Sequence, residues 1–172
     1  QWMAGTLILQ GVICIRILNF ERAADLLEQA LTLARELRSE HWIHEATGFL
    51  AAARIAQNEL ARAAELLNED TLTLPAADTI AKRQIWASHI ELALARQQPQ
   101  TALELLDALL QETSNLEPET VIPRLWVLRA RALMQTSTDN HLAAAEALLR
   151  AANLEAQATQ QPEWEWQTGA HL

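Results

Sequence analysis

Two histidines and a glutamate fall within one turn of "HWIHEA": His41, His44 and Glu45. Imidazole nitrogens and a carboxylate are the donors a divalent metal takes. The order here differs from that of the zinc proteases, whose histidines stand four residues apart around a glutamate, and no distant third ligand stands out. His41 and His44 therefore read as solvent-facing or capping residues at a helix start, and no metal is expected. His89, His141 and His171 are isolated. Cys14, the single cysteine, lies in an apolar run with Arg16 as its one basic neighbour. A nucleophilic thiol needs cationic partners that lower its pKa, so Cys14 reads as buried and inert. A phosphate-binding loop needs glycine-rich backbone and usually a lysine near a helix start. Gly5, Gly11, Gly48 and Gly169 are scattered, and Lys82 follows no such loop. Glu28, Glu36, Glu65, Glu69, Glu104 and Asp107 fall on the polar backs of amphipathic stretches, where charge solvates a face. No catalytic constellation emerges. The chain is expected to be non-enzymatic and to carry no cofactor.

Charge narrows the partners. Thirteen basic against twenty-two acidic residues give a net charge of −9. Nucleic acid is held mainly through clustered Lys and Arg, so direct binding to it is not expected. Arg124, Arg129 and Arg131 crowd one stretch, 121–135, that has no acid. They could hold an anion or carboxylate, which arginine grips bidentately. Alternatively, Arg131 neutralises Glu91, its counterpart one repeat earlier; this second reading is preferred because ion pairs between neighbouring elements are common. One cysteine cannot close an internal disulfide, which suits a reducing cytoplasm. The apolar run "MAGTLILQGVICIRIL" at 3–18 is interrupted by Gln10 and Arg16. It is shorter than the ~20 residues a spanning helix needs, so a helix buried against a neighbour is expected and no membrane contact.

The elements that would carry these residues recur. Trp2, Trp42, Trp86, Trp126 and Trp166 are separated by 40, 44, 40 and 40 residues. Between them lie "NFERAADLLEQALTLAREL", "ELARAAELLNEDTLTL", "PQTALELLDALLQET" and "NHLAAAEALLRAANLEA", all amphipathic. Each has an alanine and then a leucine four residues on: Ala23/Leu27, Ala63/Leu67, Ala102/Leu106 and Ala145/Leu149. That spacing places both on one helix face, and the small alanine lets a partner helix approach closely. A more apolar helix precedes each, at about 3–17, 41–56, 77–97 and 121–135. Asn19, Ser39, Asn58, Gln98-Pro99 and "STDNH" break the helices, with "TLTLPAAD" and "SNLEPE" between pairs. Asn, Ser and Asp there are expected to cap the next helix start. Nothing alternates with period two, so an all-α array of helix pairs is predicted. Trp86 and Trp126 are expected in the core, indole N–H hydrogen-bonded at its edge. Pro162 would open a fifth pair that "EWEWQTGAHL" begins, as though the chain were a piece of a longer one. The uncovered face of the fourth pair is then expected to support a homodimer through an exposed array end.

These helix pairs with small–large–small rows resemble the tetratricopeptide (TPR) superfamily. "WVLRARAL" at 126–133 keeps the family's Trp, a small Ala130 and a large Leu133, with Arg129 where Leu is usual. Gly11 fills the small position ahead of "ERAADLLEQAL", while Ala51 and Ile90 replace glycine in the next two pairs. The period, nearer 40 than 34, is similar to that of the helical arrays in LuxR-family activators of the maltose-regulon type and in multidomain signalling ATPases of bacteria. The resemblance implies a right-handed α–α superhelix (solenoid) of about four helix–turn–helix repeats plus part of a fifth. One array over 1–172 would hold repeats at about 1–38, 39–74, 75–115 and 116–160, with a fifth starting at 161–172. It also implies a concave groove. Carried over residue by residue, that groove would be lined by Glu45, Gly48, Ala52, Gln84, Ala87, Glu91, Arg124, Val127, Arg131 and Met134. The implied function is a non-catalytic scaffold of a bacterial signalling or transcription regulator, contacting a protein or a neighbouring domain of the parent chain. The alternative is a sensor array that binds a small effector (a sugar, peptide or metabolite) in the groove.

Overall fold

The computed structural model describes residues 2–68, 74–113, 123–136, 138–160 and 168–171. Eight helices account for most of them: α1 (Trp2–Arg16), α2 (Phe20–Glu36), α3 (Glu40–Ala56), α4 (Leu60–Leu66), α5 (Ile80–Ala95), α6 (Pro99–Glu112), α7 (Pro123–Thr136) and α8 (Asp139–Ala158). A further helical turn covers 168–171, and no strand occurs among the described residues. The protein is all-α. It divides into two compact units, Gln1–Arg96 and Gln97–Leu172.

One turn geometry joins α1 to α2, α2 to α3 and α3 to α4. Leu18, Arg38 and Asn58 each take a left-handed backbone, with φ of 60°, 51° and 61°. After each, the backbone N–H reaches back five residues: Asn19 to the Cys14 carbonyl, Ser39 to Ala34 and Glu59 to Arg54. The left-handed residue itself donates to the carbonyl three before it, as Leu18 does to Ile15 at 3.0 Å. This pair of bonds satisfies the last carbonyls of each helix and turns the chain within three residues. Capping of the next helix is more varied than expected. Asn19 does accept from the Arg22 N–H at 3.2 Å, and Thr79 accepts from Lys82 at 3.3 Å. Ser39 makes no side-chain cap bond, and Asn58 ends α3 in place of starting α4, whose cap position is Glu59. The reason is positional, because asparagine tolerates the left-handed conformation that the end of α3 requires.

The second helix of this unit's second pair is also shorter than its apolar pattern suggests. Within the amphipathic stretch that precedes the "TLTLPAAD" break, α4 ends at Leu66 and Asn68 again turns left-handed, φ 49°; residues 69–73 lie outside the described residues. Within the first unit α1 packs on α2, α2 on α3, and α3 on α4 and α5, with α4 also touching α5. The first helices of successive pairs touch as well, α1 on α3 and α3 on α5. Ala23 and Leu27 sit in the core that Ile8, Ala24, Ala30, Leu31, Ala46, Leu50 and Ala53 complete. Ala63 and Leu67 join Ala51, Ile85 and Leu92 in a second cluster.

The second unit repeats the scheme on its own core. α6 packs on α7 and α7 on α8. Ala145 and Leu149 meet Val127, Ala130 and Ala152, with Trp126, Leu133 and Leu148 packed alongside. Ala102 and Leu106 are buried on α6. Arg129 bridges α7 to Asp107 of α6 at 2.7 Å. Asn153 donates to the Thr168 hydroxyl at 2.7 Å, tying the turn at 168–171 to α8. Pro162, Trp164 and Trp166, the "SNLEPE" break and part of "TLTLPAAD" lie outside the described residues, and with them all of the expected fifth pair but 168–171.

Candidate interaction surface

The contact between α3 and α5 is built on a missing side chain. A Cβ at Gly48 would lie 2.6 Å from Gln84 Cγ and 3.1 Å from the Gln84 backbone carbon. Glycine alone lets the two helices come this close. The space of its absent side chain is taken by the Gln84 stem and backbone carbons, and polar contacts flank it. The Ser88 hydroxyl donates to the Gly48 carbonyl at 2.7 Å, and Gln84 Nε2 approaches Ser88 Oγ at 3.4 Å. Gly48 and Gln84, expected on an open groove wall, are therefore enclosed in a helix–helix contact, and Ala87, expected there too, is buried on α5. Of the remaining predicted positions, Glu45, Ala52 and Glu91 keep partial exposure on α3 and α5. In the second unit Arg124 and Arg131 are partly exposed, Met134 is exposed and Val127 is buried, all on α7. Glu91 and Arg131, considered as an ion pair, belong to different units.

Electrostatics distinguish a few of these groups. Burial raises the pKa of Glu45, and His41 beside it offsets part of that rise, with His41 Nε2 3.6 Å from Glu45 Oε2. His41 also lies edge-on to the Trp42 ring at 4.7 Å. In the second unit, burial and then the charge of Arg131 lower the pKa of His171. Trp86 is buried and its Nε1–H donates to the Pro75 carbonyl at 2.8 Å, which anchors the link entering α5. Trp126 is partly buried against the core of the second unit. Among the described residues no group of three or more His, Cys, Asp and Glu converges as a metal site, and no helix is long and apolar enough to cross a membrane.

Two features are not apparent from residue types and spacing. Arg54 forms an ion pair with Glu28 of α2 and another with Glu59 at 2.9 Å, and donates to Gln57 at 3.1 Å. Burial alone would lower its pKa, but the two carboxylates hold it above the ordinary value. It closes one side of a polar surface cleft of about 560 Å³ lined by Glu28, Arg35, Arg62, Glu65 and Asn68. The one signal for it is that Arg54 is the only charge in the apolar stretch 46–56. The second is the outer face of α1 and the turn after it, where Trp2, Leu9, Ile13 and Ile17 are exposed. Their heptad-like spacing is hidden because α1 is apolar on nearly every side.

No family model, curated protein or solved structure matches the chain.

Proposed function

We propose that this chain is a non-catalytic, TPR-like interaction module that serves a bacterial signalling or transcription regulator by binding a protein or a neighbouring domain of its parent chain. In this reading the helix pairs wind into a right-handed superhelix, and the part-exposed side chains of α3 and α5 form a receiving face. The observation that carries the reading is the recurrent glycine contact between first helices. Gly5 of α1 lies under the Trp42 ring of α3, where a Cβ would meet the ring at 3.0 Å, and Gly48 of α3 lies under Gln84 of α5. Equivalent helices that stack through small residues at a near-constant interval are the construction rule of solenoids. In these arrays each repeat leans only on its neighbours, and the surface that accumulates serves recognition.

The test is cross-linking and mass spectrometry on the tagged chain in its native cell, with the wild type beside a Glu45→Arg/Glu91→Arg variant. Cross-links from α3 and α5 to one protein or domain, lost in the variant, are expected. Absence of protein cross-links to these helices, together with a melting temperature raised by a member of a small-molecule library, would replace this reading with that of an effector sensor.

A further inference from the structure

Residues 2–18 leave Trp2, Met3, Leu9, Ile13, Ile17 and Leu18 in water, and Trp2 is 93% exposed. Trp2, Thr6, Leu9 and Ile13 follow one another at intervals of four, three and four residues, with Ile17 four further on. That is a single stripe along α1, opposite the Ala4, Ile8 and Gly11 side that enters the core. Thr6 does not interrupt it, because its hydroxyl already donates to the Trp2 carbonyl at 2.9 Å and leaves its methyl outward. No Asp, Glu, Lys, Arg or His occurs from Trp2 to Ile15 in a chain of net charge −9. Beside the stripe opens an apolar notch of about 350 Å³ lined by Trp2, Gly5, Thr6, Leu9 and Trp42.

We propose that α1 is the interface of a homodimer, in which two copies pair in parallel about a two-fold axis and each Trp2 packs beside the other's Gly5. Two observations select a second copy as the occupant. A two-fold contact needs protrusion and recess on one patch, and Trp2 and the Gly5 notch are neighbours. The stripe has heptad spacing, with Thr6 and Ile13 in one core position and Trp2 and Leu9 in the other. A β-branched residue in the first and leucine in the second favour two parallel strands. The area is that of a small two-fold contact. Taking about 200 Å² for the tryptophan and ~60 Å² for each of Leu9, Ile13 and Ile17 gives roughly 380 Å² per copy, about half of the ~800 Å² per partner of a standard interface. Two strongly acidic chains thus meet where neither carries an acid. The surface is separate from Glu45, Ala52 and Glu91, so the two proposals fail independently.

Sedimentation velocity over a concentration series tests it. The wild-type chain is expected to dimerise, and Trp2→Glu and Leu9→Glu, each with helical content verified by circular dichroism, are expected to weaken the dimer at least tenfold. Leu154→Glu on α8, equally exposed, should leave it intact. A second measurement does not rely on disruption. Thr6→Cys in a Cys14→Ser chain should form an intermolecular disulfide under mild oxidation, because parallel pairing sets Thr6 against its own copy; Gln100→Cys should not. A monomeric wild type at the highest soluble concentration, a dimer indifferent to Trp2→Glu and Leu9→Glu, or failure of Thr6→Cys to cross-link overturns the proposal.

Discussion

Arg54 and Glu45 lie on the same helix and meet burial in opposite ways. Arg54 has a side chain only 12% exposed, yet it keeps its charge because Glu28 and Glu59 accept from it. Replacing it with methionine preserves the stem and removes bonds that join α2, α3 and the start of α4. Both carboxylates retain access to water, so the cost is that of lost charge-assisted hydrogen bonds and not of orphaned charges: about 1–2 kcal/mol in urea unfolding. Glu45 has no comparable partner, since His41 approaches only to 3.6 Å. Its pKa is raised from 4.5, so the folded chain holds that proton more tightly than the unfolded one. Its carboxyl therefore favours folding most below pH 4.5, and that contribution is lost as pH rises through the raised value. Glu45→Gln should accordingly raise the unfolding midpoint at pH 7, with the advantage disappearing by about pH 4. An unchanged difference at the two pH values would remove burial as the cause.

Helices in this chain are specified by contacts that only the smallest residue permits. Gly48→Ala drives a Cβ into Gln84, backbone included, and is expected to cost about 1–3 kcal/mol by overpacking. At Gly169 a Cβ would meet nothing within 4 Å, so alanine there should bring no loss; equal penalties at the two sites would refute the packing explanation. The same glycines show what the sequence can and cannot reveal. Alanine and leucine four residues apart are enough to mark the buried faces of α2, α6 and α8, because burial enforces that spacing. The role of Gly48 is not legible, since a small residue on a first helix is equally compatible with an open groove wall and a closed helix crossing. Nor are the turns, because Leu18 and Arg38 take a backbone that sequence rules reserve for glycine and asparagine. Arg54 escapes notice in the sequence because one of its carboxylate partners, Glu28, comes from a different helix 26 residues away.

For the chain taken entire, charge is the dominant global property. Each copy carries −9, so association through the uncharged stripe of α1 works against long-range repulsion that salt screens within about 8–10 Å. Dimerisation should therefore strengthen as ionic strength rises, as measured by the same sedimentation series; weakening with salt would mean that ion pairs and not apolar contact hold the copies together. The turns of the first unit have a different consequence. Left-handed residues at 18, 38 and 58 mark steps of equal length, and each helix between them carries a buried row. One residue inserted into α2 would swing everything after it by about 100° around the helix axis, emptying the core row, while point changes on the outer rows would leave it untouched. Descendants of this gene can thus diverge widely in letters, but hardly at all in count.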